Sequence, residues 1–490
     1  MKAMKNYIWM AAIALTAATL TACSNEDEAV TEKDKAQQSR VVTLVTTLSP
    51  MSGPTTRTTI TEESSALALG WEVGDYVWVN YTNTLDANVE AQGTVTAVDG
   101  SGNATISVEL TNPKDGESSI TFGFPYNHWH DGIDAHAGQV GTLADIVANH
   151  AASSGSGTLN VTSGTATLPT GVAMTPEMCI WKLSFTDGSS DITSSITSLT
   201  VSLGASDDYV ITPSSLSNIY VAFYGDANPR NVSIKASTAS QVYFKGKSGI
   251  TLAAGKMYTT SGLALVQAEL GKVIAADGNI YNTASAATAA GTTASGIIAY
   301  IGAAGSVDTS TSVDANCSTY KGLAIALTDA STSSAWSTYD ATCASQTTNV
   351  GTALGYKNGI ASTNTLTSHV HAHAAASAAK NFATARPGGV STWFLPSLGQ
   401  WNLICQGLAT KKAGSTVSTN LSTSSNDTFK ASNLNSVITD AGGTEFPTGE
   451  VYYWLSTEYN TANAWHYYKS GSVGFGDKDF THYVRAVFAF

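Results

Sequence analysis

Two groups of three histidines are spaced closely enough along the chain to bind a metal ion together. They are His128, His130 and His136, in a predicted turn, and His369, His371 and His373, in the segment HVHAH. If HVHAH were a strand, its alternation would place three imidazoles on one face, about 7 Å apart between neighbours. No Asp, Glu or Cys lies close to this segment in the sequence, and a loop or a helix start explains it equally well. We therefore expect both groups to be structural, and we predict no metal site and no cofactor.

The chain contains no motif typical of nucleophilic catalysis. The segment G-x-S-x-G, which holds the nucleophile of many hydrolases, is absent from the sequence. Cys405 lies on a predicted short helix among apolar neighbours, which is the usual setting of an inert, buried thiol. We therefore predict that the protein is not an enzyme.

Cys23 stands where a lipid could be attached. Lys2 and Lys5 precede an apolar run at residues 8–20, which is shorter than the roughly 20 residues needed to span a bilayer and is typical of a signal peptide. The run ends in Leu-Thr-Ala-Cys, which is similar to the lipobox of bacterial lipoproteins, whose cysteine is acylated. We predict a signal peptide over residues 1–22 and a lipid anchor at Cys23. An ordinary cleaved signal is the alternative.

The charge balance excludes one class of partner. Charged residues make up 12% of the chain and its net charge is −13, whereas phosphate contacts need clustered Lys and Arg, so we expect no nucleic-acid partner. Glu26, Asp27 and Glu28 follow the lipobox and resemble the surface-export signal of lipoproteins in Bacteroidetes-type outer membranes. Because an acidic chain is not attracted to an anionic membrane, the lipid is the expected anchor. The Thr-rich, weakly charged composition indicates a β-rich extracellular protein.

Four further cysteines could form disulfides in an oxidising envelope. They are Cys179, Cys317, Cys343 and Cys405. Four cysteines allow three pairings, and the sequence does not select one. Cys317 and Cys343 would close the shortest loop and are the expected pair.

Short β-branched segments separated by turn residues fill the chain from Val41 to Leu265. The predicted strands are residues 41–48, 77–81, 89–98, 104–110, 120–124, 178–185, 196–203, 209–212, 219–223, 232–236, 241–244 and a last strand ending at 265. A Ser- and Gly-rich stretch at residues 151–158 is expected to interrupt them. This spacing predicts two antiparallel β-sandwiches in tandem, with few helices.

The composition changes at about residue 266. A helix is predicted near residues 373–384, and residues 392–403 (TWFLPSLGQWNL) predict a buried strand, a Pro-Ser cap and a short helix. Trp454 and Trp465 have faces suited to sugar rings, although packing in the core explains them as well. Asp477 and Asp479 lie on a predicted Gly-rich loop beginning at Gly471, where side chains are available to a ligand.

The N-terminal half resembles the fimbrillin-type pilins over residues 41–265. The resemblance rests on the lipobox, the first strand, the segment Thr56-Arg57-Thr58, WEVGD at residues 71–75, MCIWKLSF at 178–185 and AAGKMYTTSGLAL at 253–265. This family builds type V pili from lipoprotein subunits that contain two transthyretin-like sandwiches. The resemblance therefore implies a mainly β fold and a surface-exported subunit.

The C-terminal unit is similar to C-type-lectin-like domains, a fold shared by bacterial surface domains and the formylglycine-generating enzymes. The similarity rests on the order W-x-L-P-S, YW-x-STEY, AW and YVRAV between residues 393 and 487. It implies an α+β domain after the two sandwiches. The Glu-Pro-Asn or Gln-Pro-Asp triplet of calcium-dependent lectins is missing, so we expect no calcium-dependent sugar binding.

The two resemblances together imply a division of the chain. We expect a signal peptide (1–22), an acidic tether with a removable strand (23–57), two sandwiches (58–172 and 173–265) and an adhesive lectin-like domain (266–490). The fimbrillin resemblance implies proteolysis after an arginine, and Arg40 and Arg57 lie in the right region. Only a cut after Arg57 would release the first strand, so Arg57 is the preferred site.

The expected role is that of a pilus tip subunit, because a domain after the second sandwich would prevent that sandwich from donating a strand. The expected partners are other pilus subunits and a glycan or protein receptor, with the membrane bound through the lipid before processing. The expected location is the outer-membrane surface and then the fimbrium. A glycan-binding surface lipoprotein that never polymerises, or the pilus anchor subunit, are the alternatives.

Overall fold

The computed structural model of the protein describes residues 39–50, 70–204, 207–338 and 344–490. It is mainly β, with five sheets that divide these residues into three successive units. Among the described helices none combines the length and the apolar character needed to cross a membrane.

The first unit contains eight strands and little helix. Its elements are β1 (Val41–Leu48), β2 (Tyr76–Thr82), β3 (Asn88–Val98), β4 (Ala104–Thr111), β5 (Gly116–Phe124), α1 (Tyr126–His130), α2 (Leu143–Asp145), a π-helix (Ile146–His150), β6 (Ser153–Thr162), β7 (Thr165–Thr167) and β8 (Thr175–Pro176). The predicted strands are confirmed here to within a few residues, because alternating β-branched side chains fit a sheet with one buried face.

The first unit is a continuous sheet in the order β1-β4-β3-β2-β5-β6-β7, with β8 paired to β6, and its pairings are antiparallel, as the sequence predicted. The pairing of β3 with β4 shifts register between Val95 and Ala97. Such a bulge bends the strand locally. Val172, which follows β7 in the chain, contacts the end of β1: its N–H donates to the Thr47 carbonyl, and its carbonyl accepts from the Ser49 N–H.

The expected interruption at residues 151–158 is wrong, because most of this stretch belongs to β6 and pairs along its length with β5. The glycines in this stretch allow other parts of the first unit to pack closely against β6. A Cβ on Gly155 would lie 2.6 Å from the Ala173 carbonyl oxygen, and one on Gly157 would lie 2.8 Å from the Leu168 side chain. Glycine within a strand often marks such a close approach of another part of the chain.

The second unit has two sheets, β11-β10-β13-β14-β16 and β12-β9-β15, whose strands enclose the same continuous core as the first unit. The elements are β9 (Met178–Thr186), a 3-10 turn (Thr193–Ser195), β10 (Ile196–Ser202), β11 (Asp208–Ile211), β12 (Ile219–Tyr224), β13 (Asp226–Thr238), β14 (Val242–Leu252), β15 (Met257–Ala264) and β16 (Val266–Gln267).

The third unit packs helices against two five-stranded sheets, β18-β17-β19-β20-β26 and β21-β25-β22-β23-β24. Its elements are β17 (Val273–Ala275), β18 (Ile280–Tyr281), α3 (Ala284–Ala289), β19 (Ala294–Ile301), a 3-10 turn (Ala315–Ser318), β20 (Gly322–Ala326), β21 (Ser331–Ala335), α4 (Val350–Ala353), α5 (Gly359–Ser368), α6 (Ala374–Lys380), α7 (Leu398–Ala413), a second 3-10 turn (Asp427–Phe429), α8 (Ala431–Asp440), β22 (Tyr452–Glu458), β23 (Asn463–Tyr468), β24 (Ser472–Asp477), β25 (Thr481–Val484) and β26 (Val487–Ala489).

The helix expected after the Pro-Ser cap is longer than predicted. A capping box between Ser397 and Gln400 begins α7, which runs for 16 residues until Gly414 ends it at a positive φ of 68°.

The second and third units are joined by packed side chains: the rings of Phe244 and Phe490 lie 5.7 Å apart, edge to face. The Lys321 ammonium donates to carbonyls at the end of β13.

The cysteines of the described residues are free thiols. Cys179, Cys317 and Cys405 are buried, and Cys317 contacts the Asp308 carboxylate. The expected pairing of Cys317 is therefore wrong for this structure, and Cys343 lies outside the described residues. Burial raises the pKa of the Cys405 thiol far above its ordinary value, so no thiolate is available there as a nucleophile.

Candidate functional site

The first strand is the edge of the first sheet and is fully integrated in its core. Its side chains alternate strictly between buried and exposed, so that Val41 and Val45 are 55% and 61% exposed. The inward-facing side chains are those of Val42, Leu44, Thr46 and Leu48. The strand thus contributes one face of the hydrophobic core while its other face is in contact with solvent.

Among the residues that the structure describes, β4 is the one strand that pairs with β1 along its length. All eight residues of β1 lie opposite residues of β4, from Val41 opposite Thr111 to Leu48 opposite Ala104. The inward side chains of β4, such as Ile106 and Val108, are completely buried beneath this pairing. Removal of β1 would therefore leave β4 as an edge with unpaired backbone groups beside an apolar groove.

The end of β1 is fixed by contacts from later parts of the first unit. The indole N–H of Trp71 donates to the Ser49 carbonyl at 3.0 Å, and the Met174 N–H donates to the Ser49 hydroxyl at 3.0 Å. Trp71 itself is buried and packs edge to face on Phe124, with ring centroids 5.0 Å apart. These contacts position the point at which the chain leaves β1.

One covalent link connects β1 to the rest of the fold. The next strand in sequence, β2, begins at Tyr76, and two strands separate it from β1 in the sheet. The preferred cleavage residue Arg57 is in this link and lies outside the described residues, as does the predicted lipid site Cys23. A single cut in the link would separate β1 covalently from every later element.

Arg40 is held at the start of β1. Its guanidinium donates to the Asp115 carboxylate at 2.7 Å and to the Pro113 carbonyl, and its carbonyl accepts from the Asn112 N–H. A cut after Arg40 would leave β1 attached to β2 through the intact link. The two candidate arginines therefore differ in consequence, because only the later one lies between β1 and the body of the unit.

Trp454 and Trp465 belong to the core of the third unit. They are 1% and 2% exposed, and their indole N–H groups donate to the carbonyls of Ser334 and Thr347, each at 2.9 Å. The ring of Tyr459 lies edge to face against Trp465, at 5.2 Å between centroids. Neither indole presents a face on which a sugar could stack without opening the core.

Asp477 and Asp479 are exposed, as predicted, but they do not lie on a loop that begins at Gly471. Residues Ser472–Asp477 form β24, which pairs with β23 along its length. The sequence prediction missed two neighbours of these acids, Phe475 and Phe480, which are 50% and 54% exposed. Phe475 stacks on Tyr459 at 3.9 Å, and its position between two glycines was the available signal. We call these two acids and two phenylalanines the β24–β25 surface.

The first group of histidines is distributed among different partners. His128 is buried, and burial lowers its pKa, whereas His130 contacts the Glu90 carboxylate at 3.0 Å. His136 lies between two carboxylates, Asp134 and Asp207. Each of these three imidazoles therefore has its own environment or partner, which is typical of histidines with structural roles.

The second group does not lie in a strand. His369 and His371 follow the end of α5, and His373 immediately precedes α6, with 3.4 Å between His369 Nδ1 and His373 Nε2. His373 is buried against the edge of Trp336. Within residues 39–50, 70–204, 207–338 and 344–490, no three His, Cys, Asp or Glu side chains are grouped to hold a metal ion.

Comparison with known proteins gives no family model that matches this chain and no match among curated proteins. A solved fimbrial protein from Bacteroides ovatus aligns with 92% of this chain and 100% of its own, at 14% identity and a TM-score of 0.36. The tip fimbrial protein Mfa3 from Porphyromonas gingivalis, with C-terminal truncation, aligns with 45% of this chain and 94% of its own, at 10% identity and a TM-score of 0.22. A fimbrial assembly protein from Parabacteroides distasonis aligns with 46% and 91%, at 11% identity and a TM-score of 0.26. Because TM-scores this low do not establish a shared fold, the function has to be inferred from the geometry of this chain.

Proposed function

We propose that the protein is a subunit of a surface fibre of the pilus type, which exchanges its own β1 for a strand of a neighbouring subunit. The observation that supports this most is the state of β1, an edge strand paired in full with β4 and joined to the rest of the unit by one link. Loss of β1 leaves a groove of backbone donors and acceptors lined by apolar side chains. An incoming strand that alternates apolar and polar side chains as β1 does would pair with these backbone groups and bury these apolar side chains.

Maturation in this proposal has two steps. The precursor is exported as an outer-membrane lipoprotein, acylated at Cys23, and is then cut after Arg57 at the cell surface. The cut removes the lipid, the acidic tether and β1 together, because all of them precede Arg57 in the chain. The acceptor groove thus opens only after the subunit has reached the surface.

We place the subunit at the tip of the fibre because the last strands that the structure describes in its second unit are already paired within the chain. The last strands of that unit, β15 and β16, are paired with β9 and β14. The chain then continues directly into the third unit, where the Gly271 N–H donates to the Ile298 carbonyl. A subunit that accepts a strand and donates none ends a fibre.

The third unit is then the adhesive part. The β24–β25 surface offers two exposed aromatic rings beside two carboxylates, which suits a protein or glycan receptor with both apolar and hydrogen-bonding groups. In this proposal Trp454 and Trp465 support that surface from within the core and do not touch the receptor.

The test is limited cleavage of the purified precursor with a trypsin-like protease. The variant Arg57→Ala should resist the cut that exposes β4, whereas the matched control Arg40→Ala should be processed like the wild type. Cleaved protein should bind a stalk subunit, or a peptide with the alternation of β1, and should not assemble with itself. Homopolymers of the processed protein would overturn the tip assignment. An acylated, uncut N terminus on protein from cells, free of pilin partners, would instead favour a glycan-binding lipoprotein.

A further inference from the structure

Two histidines of the third unit face each other on one side of the sheet β21-β25-β22-β23-β24. His466, on β23, lies opposite Gly474 of β24, and His482, on β25, lies opposite Ser334 of β21. Their ring centroids are 5.3 Å apart and their planes are nearly perpendicular, at 81°. The two imidazoles come from separate strands, so their approach is produced by the fold and was not visible in the sequence.

Each of these imidazoles has a buried nitrogen without a hydrogen-bond partner among the residues that the structure describes. His466 Nδ1 and His482 Nε2 are both buried, and neither has a hydrogen-bond partner among the residues that the structure describes. His466 as a residue is only 8% exposed. A buried polar atom that is left unpaired is costly, so a ligand that supplies the missing partner would be stabilised there.

Both nitrogens face the same small space. A Cβ on Gly476 would lie 3.3 Å from His466 Nδ1 and 3.3 Å from His482 Nε2. Glycine at this position has no side chain, so the space between the two nitrogens stays open. Gly474 has the same effect beneath the other edge of the His466 ring, since a Cβ there would lie 2.9 Å from Nε2.

The hydrogen bond of His482 determines which of its nitrogens carries the proton. Its Nδ1 lies 2.8 Å from the Thr481 carbonyl oxygen, which can only accept, so Nδ1 carries the hydrogen and Nε2 keeps its lone pair. Metal-binding histidines are commonly oriented by such a bond from the other ring nitrogen to a backbone carbonyl. The rings of Tyr452 and Trp454 pack against His482, at 4.9 Å and 4.2 Å, and restrict its rotation.

We propose that His466 Nδ1 and His482 Nε2 form a two-histidine site over Gly476 for a transition-metal cation of the Cu²⁺, Ni²⁺ or Zn²⁺ type. Imidazole nitrogen suits these cations, whereas Ca²⁺ and Mg²⁺ prefer oxygen ligands. Water molecules complete the coordination, because no third His, Cys, Asp or Glu joins the pair among the described residues. The site does not depend on the proposed role in a fibre.

The test is Cu²⁺ titration of the full mature chain, followed by electron paramagnetic resonance, which counts the nitrogens bound to the ion. The wild type should bind one equivalent with two imidazole nitrogens. Gly476→Ala removes no ligand but places a methyl group between the two nitrogens, and His482→Gln removes one ligand. Each should weaken binding by at least about tenfold.

His371→Ala is the matched control, because it removes a histidine from the other group in the third unit and should leave binding unchanged. Circular dichroism of each variant establishes that the third unit is folded. The proposal is overturned if the wild type shows no saturable binding, or if binding survives both Gly476→Ala and His482→Gln. Binding that is lost in His371→Ala would also overturn it, because the ion would then belong to HVHAH.

Discussion

Replacement of Leu44 by alanine is expected to loosen β1 from the first unit. Leu44 is completely buried near the middle of β1, opposite Val108 of β4. Truncation of a buried leucine to alanine destabilises a core by about 2–5 kcal/mol, since the transfer free energy is lost and a cavity remains. Val45→Ala is the matched control, because Val45 is 61% exposed and a substitution there should change stability by no more than about 0.5 kcal/mol.

Hydrogen exchange measured by mass spectrometry separates this local effect from unfolding of the other units. In the intact precursor, Leu44→Ala should lower the protection of the paired β1 and β4 amides and leave β19 and β20 unchanged. In cleaved protein, a peptide with the sequence of residues 39–50 should bind the groove. The same substitution in that peptide should raise its Kd about 30- to 5,000-fold, which is 2–5 kcal/mol expressed as an equilibrium. Equal protection in the Leu44→Ala and Val45→Ala proteins would refute the reasoning, because β1 would then not be held by its inward side chains.

Three further predictions concern the third unit. Arg485→Met should lower its unfolding free energy by about 3–5 kcal/mol in denaturant titrations, because it leaves the buried Asp329 carboxylate, 2.6 Å from the guanidinium, without its charged partner. A change below about 1 kcal/mol would contradict this. Gly407→Ala should destabilise it by about 1–3 kcal/mol or more, because a Cβ there would lie 1.8 Å from the Ala299 carbonyl oxygen and would push α7 from β19. Burial lowers the pKa of His373 to about 4 from its ordinary 6.5, so the unfolded chain binds this proton more readily. Stability should therefore fall as the pH drops from 6.5 to 4, and His373→Gln should show a smaller fall in thermal melts; parallel curves would disprove the assignment.

The sequence predicted the strands best where one face of a sheet is buried and the other is exposed. The first strand was predicted with its observed bounds, because VVTLVTTL alternates in a sheet edge with β-branched side chains throughout. Arg485 belonged to a motif that the sequence singled out, and it is buried in a network with Asp329 and carbonyl oxygens. At these positions the local sequence pattern was sufficient, because the burial that it predicts is the burial that the fold produces.

The local sequence pattern gave wrong predictions where a glycine makes room for a residue that is distant in sequence. Gly155 in β6 admits the Ala173 carbonyl, and Gly474 in β24 admits the His466 ring, yet both segments were expected to be irregular. The buried indole of Trp454 shows the same limit, since a tryptophan that stacks on a sugar and one that packs in a core have the same sequence signal. The pair His466 and His482 is 16 residues apart in sequence and was not predicted, because only the sheet order places the two imidazoles together.

The proposed cut explains why a strand as firmly held as β1 can be exchanged at all. While the link is intact, β1 competes for its groove as a tethered group, at an effective concentration that a free donor strand in dilute solution does not reach. Burial of Val42, Leu44 and Leu48 adds about 1.5–3 kcal/mol for each side chain, so a free donor strand of similar composition has no advantage. After the cut, β1 becomes an ordinary dissociable ligand that is lost by dilution, whereas the donor strand of a fibre subunit remains. In the proposed maturation, proteolysis between β1 and β2 would therefore determine the direction of exchange without any requirement that the donor strand bind more tightly than β1.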